Sequence, residues 1–93
     1  MASYSGTFTV ADMTDIGGEQ RVIAIDHGLN TMNPIVAVYS NVNGRCLDIG
    51  SGNISQVALH DINQTPSPNV IVLTMYIDAL LPSTDSFAVR VIT

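Results

Sequence analysis

The two histidines are the residues with the widest chemical range, and each stands beside an aspartate, in Asp26-His27 and His60-Asp61. A hydrolytic triad needs a nucleophile, a base and an orienting acid within hydrogen-bond reach of one another. Adjacent residues of a strand point to opposite sides, so neither pair supplies that geometry. The chain also lacks the Gly-x-Ser-x-Gly turn that exposes a nucleophilic serine. The sequence therefore predicts no catalytic residue and no enzyme.

Metal and cofactor sites are not indicated either. The two histidines with Asp26 and Asp61 lack the close ligand spacings of zinc sites. Asp12, Asp15 and Glu19 share one loop, but without the Asp-x-Asp-x-Asp-Gly spacing of a calcium loop. We expect solvated carboxylates there, a histidine of structural role at a strand end, and no cofactor.

Cys46 and the tyrosines are interpreted as packing residues. Cys46 has no partner for an internal disulfide and lies in a segment predicted as a strand, so we expect a buried, small hydrophobic side chain. Tyr39 and Tyr76 could stack on a sugar, but both lie in apolar strands, which favours a place in the core or in an interface. Gly17-Gly18 lacks the following Gly-Lys-Ser/Thr of a phosphate-binding loop and predicts a turn.

The elements that must position these residues are β-strands, because apolar residues recur with a period of two. Asn43-Gly44, between two apolar runs, predicts an antiparallel hairpin. Residues 61–69 contain two prolines and many turn formers, and we expect an exposed loop there. The sequence predicts a single all-β domain over residues 1–93, a small antiparallel β-sandwich of about seven strands. The predicted strands are 4–10, 21–26, 34–40, 45–49, 54–60, 70–77 and 86–93.

Charge is scarce for so small and apolar a protein. Only 12% of the residues are charged, the three cations are arginines, and the net charge is −5, whereas soluble domains average about 25% charged residues. Without a basic patch, binding to nucleic acid or to an anionic membrane is not expected. No apolar run is long enough to span a bilayer, and the first residues do not resemble a secretory signal. A surface this poor in charge predicts contact with other protein.

Leu80 and Leu81 lie in a predicted loop, where adjacent leucines seldom face water. Two interpretations stay open: the leucines cap the end of the sandwich, or they lie in a subunit contact. With Tyr76 they form the candidate interface. Open strand edges also favour assembly, since the chain has no lysine with which to protect them.

Residues 20–93 resemble small β-sandwich domains of bacteriophage tail fibres and related virion accessory proteins. The similarity lies in Ile23-Ala24-Ile25-Asp26-His27-Gly28-Leu29-Asn30-Thr31, in the strand Pro34 to Tyr39 and in the turn Asn43-Gly44. The resemblance implies a structural turn motif of His27, Leu29 and Thr31, with the ring of His27 bonded to the backbone and Leu29 closing the sandwich end. It also implies a trimer.

We therefore expect a structural subunit of a bacteriophage particle, a head decoration, neck, tail or fibre accessory protein. Its partners would be copies of itself, as a homo-trimer, and other virion proteins, and its location the virion, after synthesis in the host cytoplasm. The alternative is a lectin-like module that binds a host-surface glycan through loops 61–69 and 79–85. An exposed Tyr4 or Tyr76 beside Asp or Asn would favour the alternative, and buried tyrosines would favour assembly.

Overall fold

Seven antiparallel strands and one short 3-10 helix account for the regular structure in a computed structural model that describes residues 2–50, 53–77 and 82–93. The 3-10 helix is Val10–Asp12. The described part contains no helix long and apolar enough to cross a membrane. The strands are β1 (Ser3–Thr9), β2 (Thr14–Gly17), β3 (Gln20–Asp26), β4 (Ile35–Ser40), β5 (Ile54–Ala58), β6 (Val70–Tyr76) and β7 (Ser86–Ile92).

The strands form two sheets, and the predicted all-β sandwich is confirmed. One sheet has three strands in the order β1-β7-β4, and the other has four in the order β2-β3-β6-β5. Every strand pair is antiparallel. The most apolar run of the sequence, β6, lies at an inner position of the four-stranded sheet, and β7 is the central strand of the other. Both strands are therefore paired with a neighbour on each side.

The core lies between the inward faces of the two sheets. Phe8 and Phe87 are cross-strand partners whose ring centroids are 5.5 Å apart. Opposite them, the inward side chains of Ile25 on β3 and of Ile71, Leu73 and Met75 on β6 are buried, since every second residue of a strand points to the same face. The fully buried large side chains are Ile54, Ile71, Leu73, Met75, Val38 and Val91.

The predicted strand 45–49 is wrong. Residues 45–50 instead form a strap, a segment that crosses from the edge of one sheet to the edge of the other. At its start, the Leu47 amide donates to the Val38 carbonyl at 2.8 Å. At its end, the Ile54 amide donates to the Asp48 carbonyl at 2.9 Å. Because the strap must bridge two sheets, it pairs through single bridges with β4 and β5 and does not continue along either strand.

The turn 41–44 and residues 14–17 differ from the predicted pattern. In the turn 41–44 only Gly44 adopts a positive φ, of 72°, while the Asn43 side chain accepts a hydrogen bond from the Arg45 amide at 3.0 Å. Residues 14–17, which we predicted as loop, form β2. This short edge strand is exposed throughout, so it has no apolar alternation by which the sequence could indicate it.

Candidate functional site

The side chain of His27 is buried directly after β3, with 6% of its surface exposed. Its Nδ1 accepts a hydrogen bond from the Leu29 amide at 3.0 Å. A ring nitrogen that accepts carries no proton, so a neutral ring places its proton on Nε2. Nε2 is buried and has no hydrogen-bond partner among the residues that the structure describes. The ring thus orients the local backbone and offers no atom to a substrate in solvent.

The turn that contains this ring, residues 27–31, is held against the segment before β6. The Asn69 carbonyl accepts hydrogen bonds from the His27 and Gly28 amides at 2.9 and 3.1 Å, and the Asn69 side chain accepts one from the Asn30 amide at 2.8 Å. The Thr31 amide donates to the Pro68 carbonyl at 2.7 Å. We call residues 27–31 the His27 turn.

Leu29 and Thr31 complete the predicted motif in different ways. Leu29 is half-buried and packs against the core. The Thr31 hydroxyl accepts a hydrogen bond from the Asn33 amide at 3.0 Å. The structure thus brings the three residues into one corner of the sandwich, where each contacts the chain itself.

His60 lies in a separate element, an arm of residues 59–67 that doubles back on itself. Its Nδ1 lies 2.6 Å from the Asp61 carbonyl oxygen. The Asp61 carboxylate accepts hydrogen bonds from the Asn63 and Thr65 amides at 2.8 and 3.0 Å, and His60 bridges to Pro66. The predicted exposed loop is thus a folded arm in its first part. In the described part of the chain no three His, Cys, Asp or Glu residues lie close enough to hold a metal ion.

Asp61→Ala is expected to destabilise the protein by about 1–2 kcal/mol, because two backbone amides lose the acceptor that closes the arm. The measurement is the free energy of unfolding in urea. Asp48→Ala removes the same charge from an exposed position whose backbone, but not its side chain, is used in hydrogen bonding. An equal loss in both variants would mean that the effect is one of net charge and not of the arm.

The outward side of the four-stranded sheet carries an apolar surface. Ile16, Val22, Ala58, Val72 and, from the arm, Ile62 line one groove of about 430 Å³, and we call these five residues the apolar face. Val72 points outward and is nevertheless buried, because the arm lies beside it. The other residues that line the groove are polar, and none of them is Asp, Glu, Lys or Arg: Thr14, Gln56, His60, Gln64 and Thr74.

The outward side of the three-stranded sheet carries a second groove, of about 490 Å³. The outward side chains that line it are Ser5, Thr7, Tyr39, Ala88 and Arg90. Arg90 is exposed and lies opposite Ser5 on β1 and Ala37 on β4. We call this surface the Arg90 face.

Tyrosine and cysteine exposures correct three of our predictions. Tyr39 and Tyr76 are 43% and 51% exposed, so their placement in the core is wrong, and an interface role stays a prediction. Tyr76 lies opposite Gln20, and its amide donates to the Asn53 carbonyl at 2.9 Å, which meets our condition favouring sugar binding. Cys46 is exposed, because on the strap the inward position belongs to its neighbour Leu47. Leu80 and Leu81 lie outside the described residues.

Neither groove could be predicted from the sequence, although the residue types that line them could be. The outward positions of β7, Ser86, Ala88, Arg90 and Ile92, follow from the alternation alone. What the alternation does not give is which strands flank β7, and therefore which side chains join Arg90 on one face.

Comparison with known proteins assigns no family. The chain matches no family model, no curated protein and no solved structure. Function must therefore be inferred from the composition, the fold and the two outward faces.

Proposed function

We propose that the protein is a structural subunit that assembles with copies of itself and docks on other proteins of a bacteriophage particle. One observation carries the proposal: the outward positions of each sheet include a single charged residue, Asp26 on one side and Arg90 on the other. Outward positions of a water-exposed antiparallel sheet are normally polar. Here many are Val, Ile or Ala, as at a surface that another protein covers.

The apolar face is the surface that a second copy would cover. An apolar centre with a polar rim is the usual anatomy of a protein interface. A stable contact buries about 800 Å² per partner, and the chain exposes 5419 Å² in all, so such a contact would use about one seventh of its surface. The net negative charge opposes association only weakly at 0.1 M salt, since repulsion between exposed charges more than about 10 Å apart is largely screened.

The resemblance of residues 20–93 to virion β-sandwich domains supports a place in the particle, as a head decoration, neck, tail or fibre accessory protein. It also supports a trimer as the form of assembly. Subunits repeated around a symmetry axis need a surface that is complementary to itself or to its neighbour, and a face without like charges meets that need.

The test is the absolute mass of the purified chain in solution, measured by light scattering after size-exclusion chromatography over a wide range of concentration. We expect a mass of three chains that does not fall on dilution. A mass of one chain at every concentration would contradict self-assembly.

Glycan binding is the second candidate function, and the exposure of Tyr76 beside Asn53 favours it. An exposed tyrosine ring offers an apolar surface with a polar tip, which suits the face and hydroxyls of a sugar. A monomeric protein in the light-scattering experiment would make this candidate the stronger one.

A further inference from the structure

We propose that the Arg90 face is a binding site for a sugar that bears one carboxylate, such as a sialic or uronic acid. The inference rests on the second candidate function, glycan binding, and names its ligand class and its site. It does not require self-assembly, because the apolar face lies on the other sheet.

The charge distribution is the first argument. β1, β4 and β7 contain no Asp or Glu, although the whole chain carries eight. Arg90 is therefore a cation on a face whose other outward residues are Ser, Thr, Ala, Ile and Tyr. Its cross-strand partners are Ser5 and Ala37, so no carboxylate of these strands neutralises it. A ligand with a negative group would do so.

The shape of the surface is the second argument. The groove has a volume of about 490 Å³, within the range of roughly 300–1,000 Å³ that is typical of small-molecule sites. Ala88 is small, lies on the central strand β7 and lines the groove between its cross-strand partners Thr7 and Tyr39. The sheet is therefore low at Ala88, and a ring can lie across it.

The side chains of the groove match the parts of a sugar acid. The planar guanidinium of Arg90 can hold a carboxylate through two parallel hydrogen bonds. The hydroxyls of Ser5 and Thr7 both donate and accept, as sugar hydroxyls require. The exposed ring of Tyr39 supplies an apolar surface for the C–H face of the sugar.

An acidic protein segment fits the same face less well. It would bring several carboxylates to a surface that holds one cation, and each further charge would be desolvated without a partner. A sugar acid brings one carboxylate together with hydroxyls and an apolar face, which correspond to Arg90, to Ser5 and Thr7, and to Tyr39.

The test is a titration of the ¹⁵N-labelled protein, followed by the amide shifts of Ser5, Thr7, Tyr39, Ala88 and Arg90. The probes are the methyl glycoside of N-acetylneuraminic acid, methyl glucuronide, neutral methyl glucoside and sodium acetate. We expect saturable shifts of these amides with at least one sugar acid. The glucoside and acetate should bind at least roughly tenfold more weakly than that sugar acid. Arg90→Gln should weaken the sugar acid roughly tenfold or more, and Tyr39→Ala should also weaken it.

Arg45→Gln is the matched control, since it removes the same charge from the exposed first residue of the strap, which does not line the groove. Unchanged binding in Arg90→Gln, or an equal loss in Arg45→Gln, would overturn the site. Shifts centred on Tyr76 would keep glycan binding but overturn its assignment to the Arg90 face. Equal binding of acetate would overturn the sugar as ligand, and no shift with any probe would overturn the inference while leaving self-assembly to its own test.

Discussion

Ile62→Asp is expected to convert the self-assembled protein into monomers. Ile62 belongs to the apolar face and is 59% exposed in the single chain, so the substitution spares the fold. In a contact with a second copy the new carboxylate would be removed from water without a partner, which is strongly unfavourable. The measurement is the molar mass by light scattering, at concentrations where the unmodified protein is assembled.

Val42→Asp is the matched control for this substitution. Val42 is 66% exposed in the turn 41–44 and does not line the groove of the apolar face. It receives the same charge in a similarly exposed loop position. If both variants stayed assembled, or if both dissociated, the apolar face would not be the assembly surface.

His27→Ala is expected to destabilise the fold by about 2–4 kcal/mol. The substitution removes a buried ring and leaves the half-buried Leu29 amide without its acceptor. Because a domain of this size is stable by only about 5–15 kcal/mol, the loss will be plain in a urea or thermal unfolding curve. Amide exchange should become faster first in residues 27–31 and 67–69, which hold each other through the Asn69 and Pro68 bonds.

His60→Ala is the comparison that separates burial from residue type. The His60 ring is only half-buried, and its Nδ1 contacts the carbonyl of the next residue. We expect a loss well below that of His27→Ala, with faster exchange confined to the arm. An equal loss in both variants would show that the His27 turn holds no special position in the fold.

Most of the strands could be predicted because their side chains alternate between core and solvent. In β7, Phe87, Val89 and Val91 are buried and the residues between them are more accessible, and this pattern is written directly in the sequence. β6 was predictable for another reason, since a continuous run of β-branched and other apolar residues suits a strand covered on both faces.

The strap and β2 could not be predicted, because long-range partners decide their conformation. Residues 45–49 follow the hairpin signal Asn43-Gly44, but the strap forms hydrogen bonds to both sheet edges, at Val38 and at Ile54. β2 is an exposed edge strand that is held by β3 across a tight turn with positive φ at Gly17, Gly18 and Glu19. The local sequence pattern shows neither of these sets of long-range contacts.

The residues that make up each candidate surface could not be predicted without the strand order. That Arg90 points outward follows from alternation, but its position between Ser5 and Ala37 requires β7 to lie between β1 and β4. Residues 5, 37 and 90 are far apart in the chain, and no turn signal joins them. The surface exists only once the sheet is assembled.

The central place of β7 in the three-stranded sheet also sets the order in which the molecule can form during synthesis. β1 and β4 make their sheet pairings with β7 and not with each other, so both must wait until the ribosome has released residues 86–92. The four strands of the other sheet, β2, β3, β5 and β6, all precede β7 in the chain and emerge before it. A nascent chain that has emerged only as far as residue 85 can form the four-stranded sheet but leaves β1 and β4 without their strand partner and half of the core uncovered. Such intermediates are prone to aggregate, so the interval before β7 emerges is when the growing chain most needs protection by chaperones.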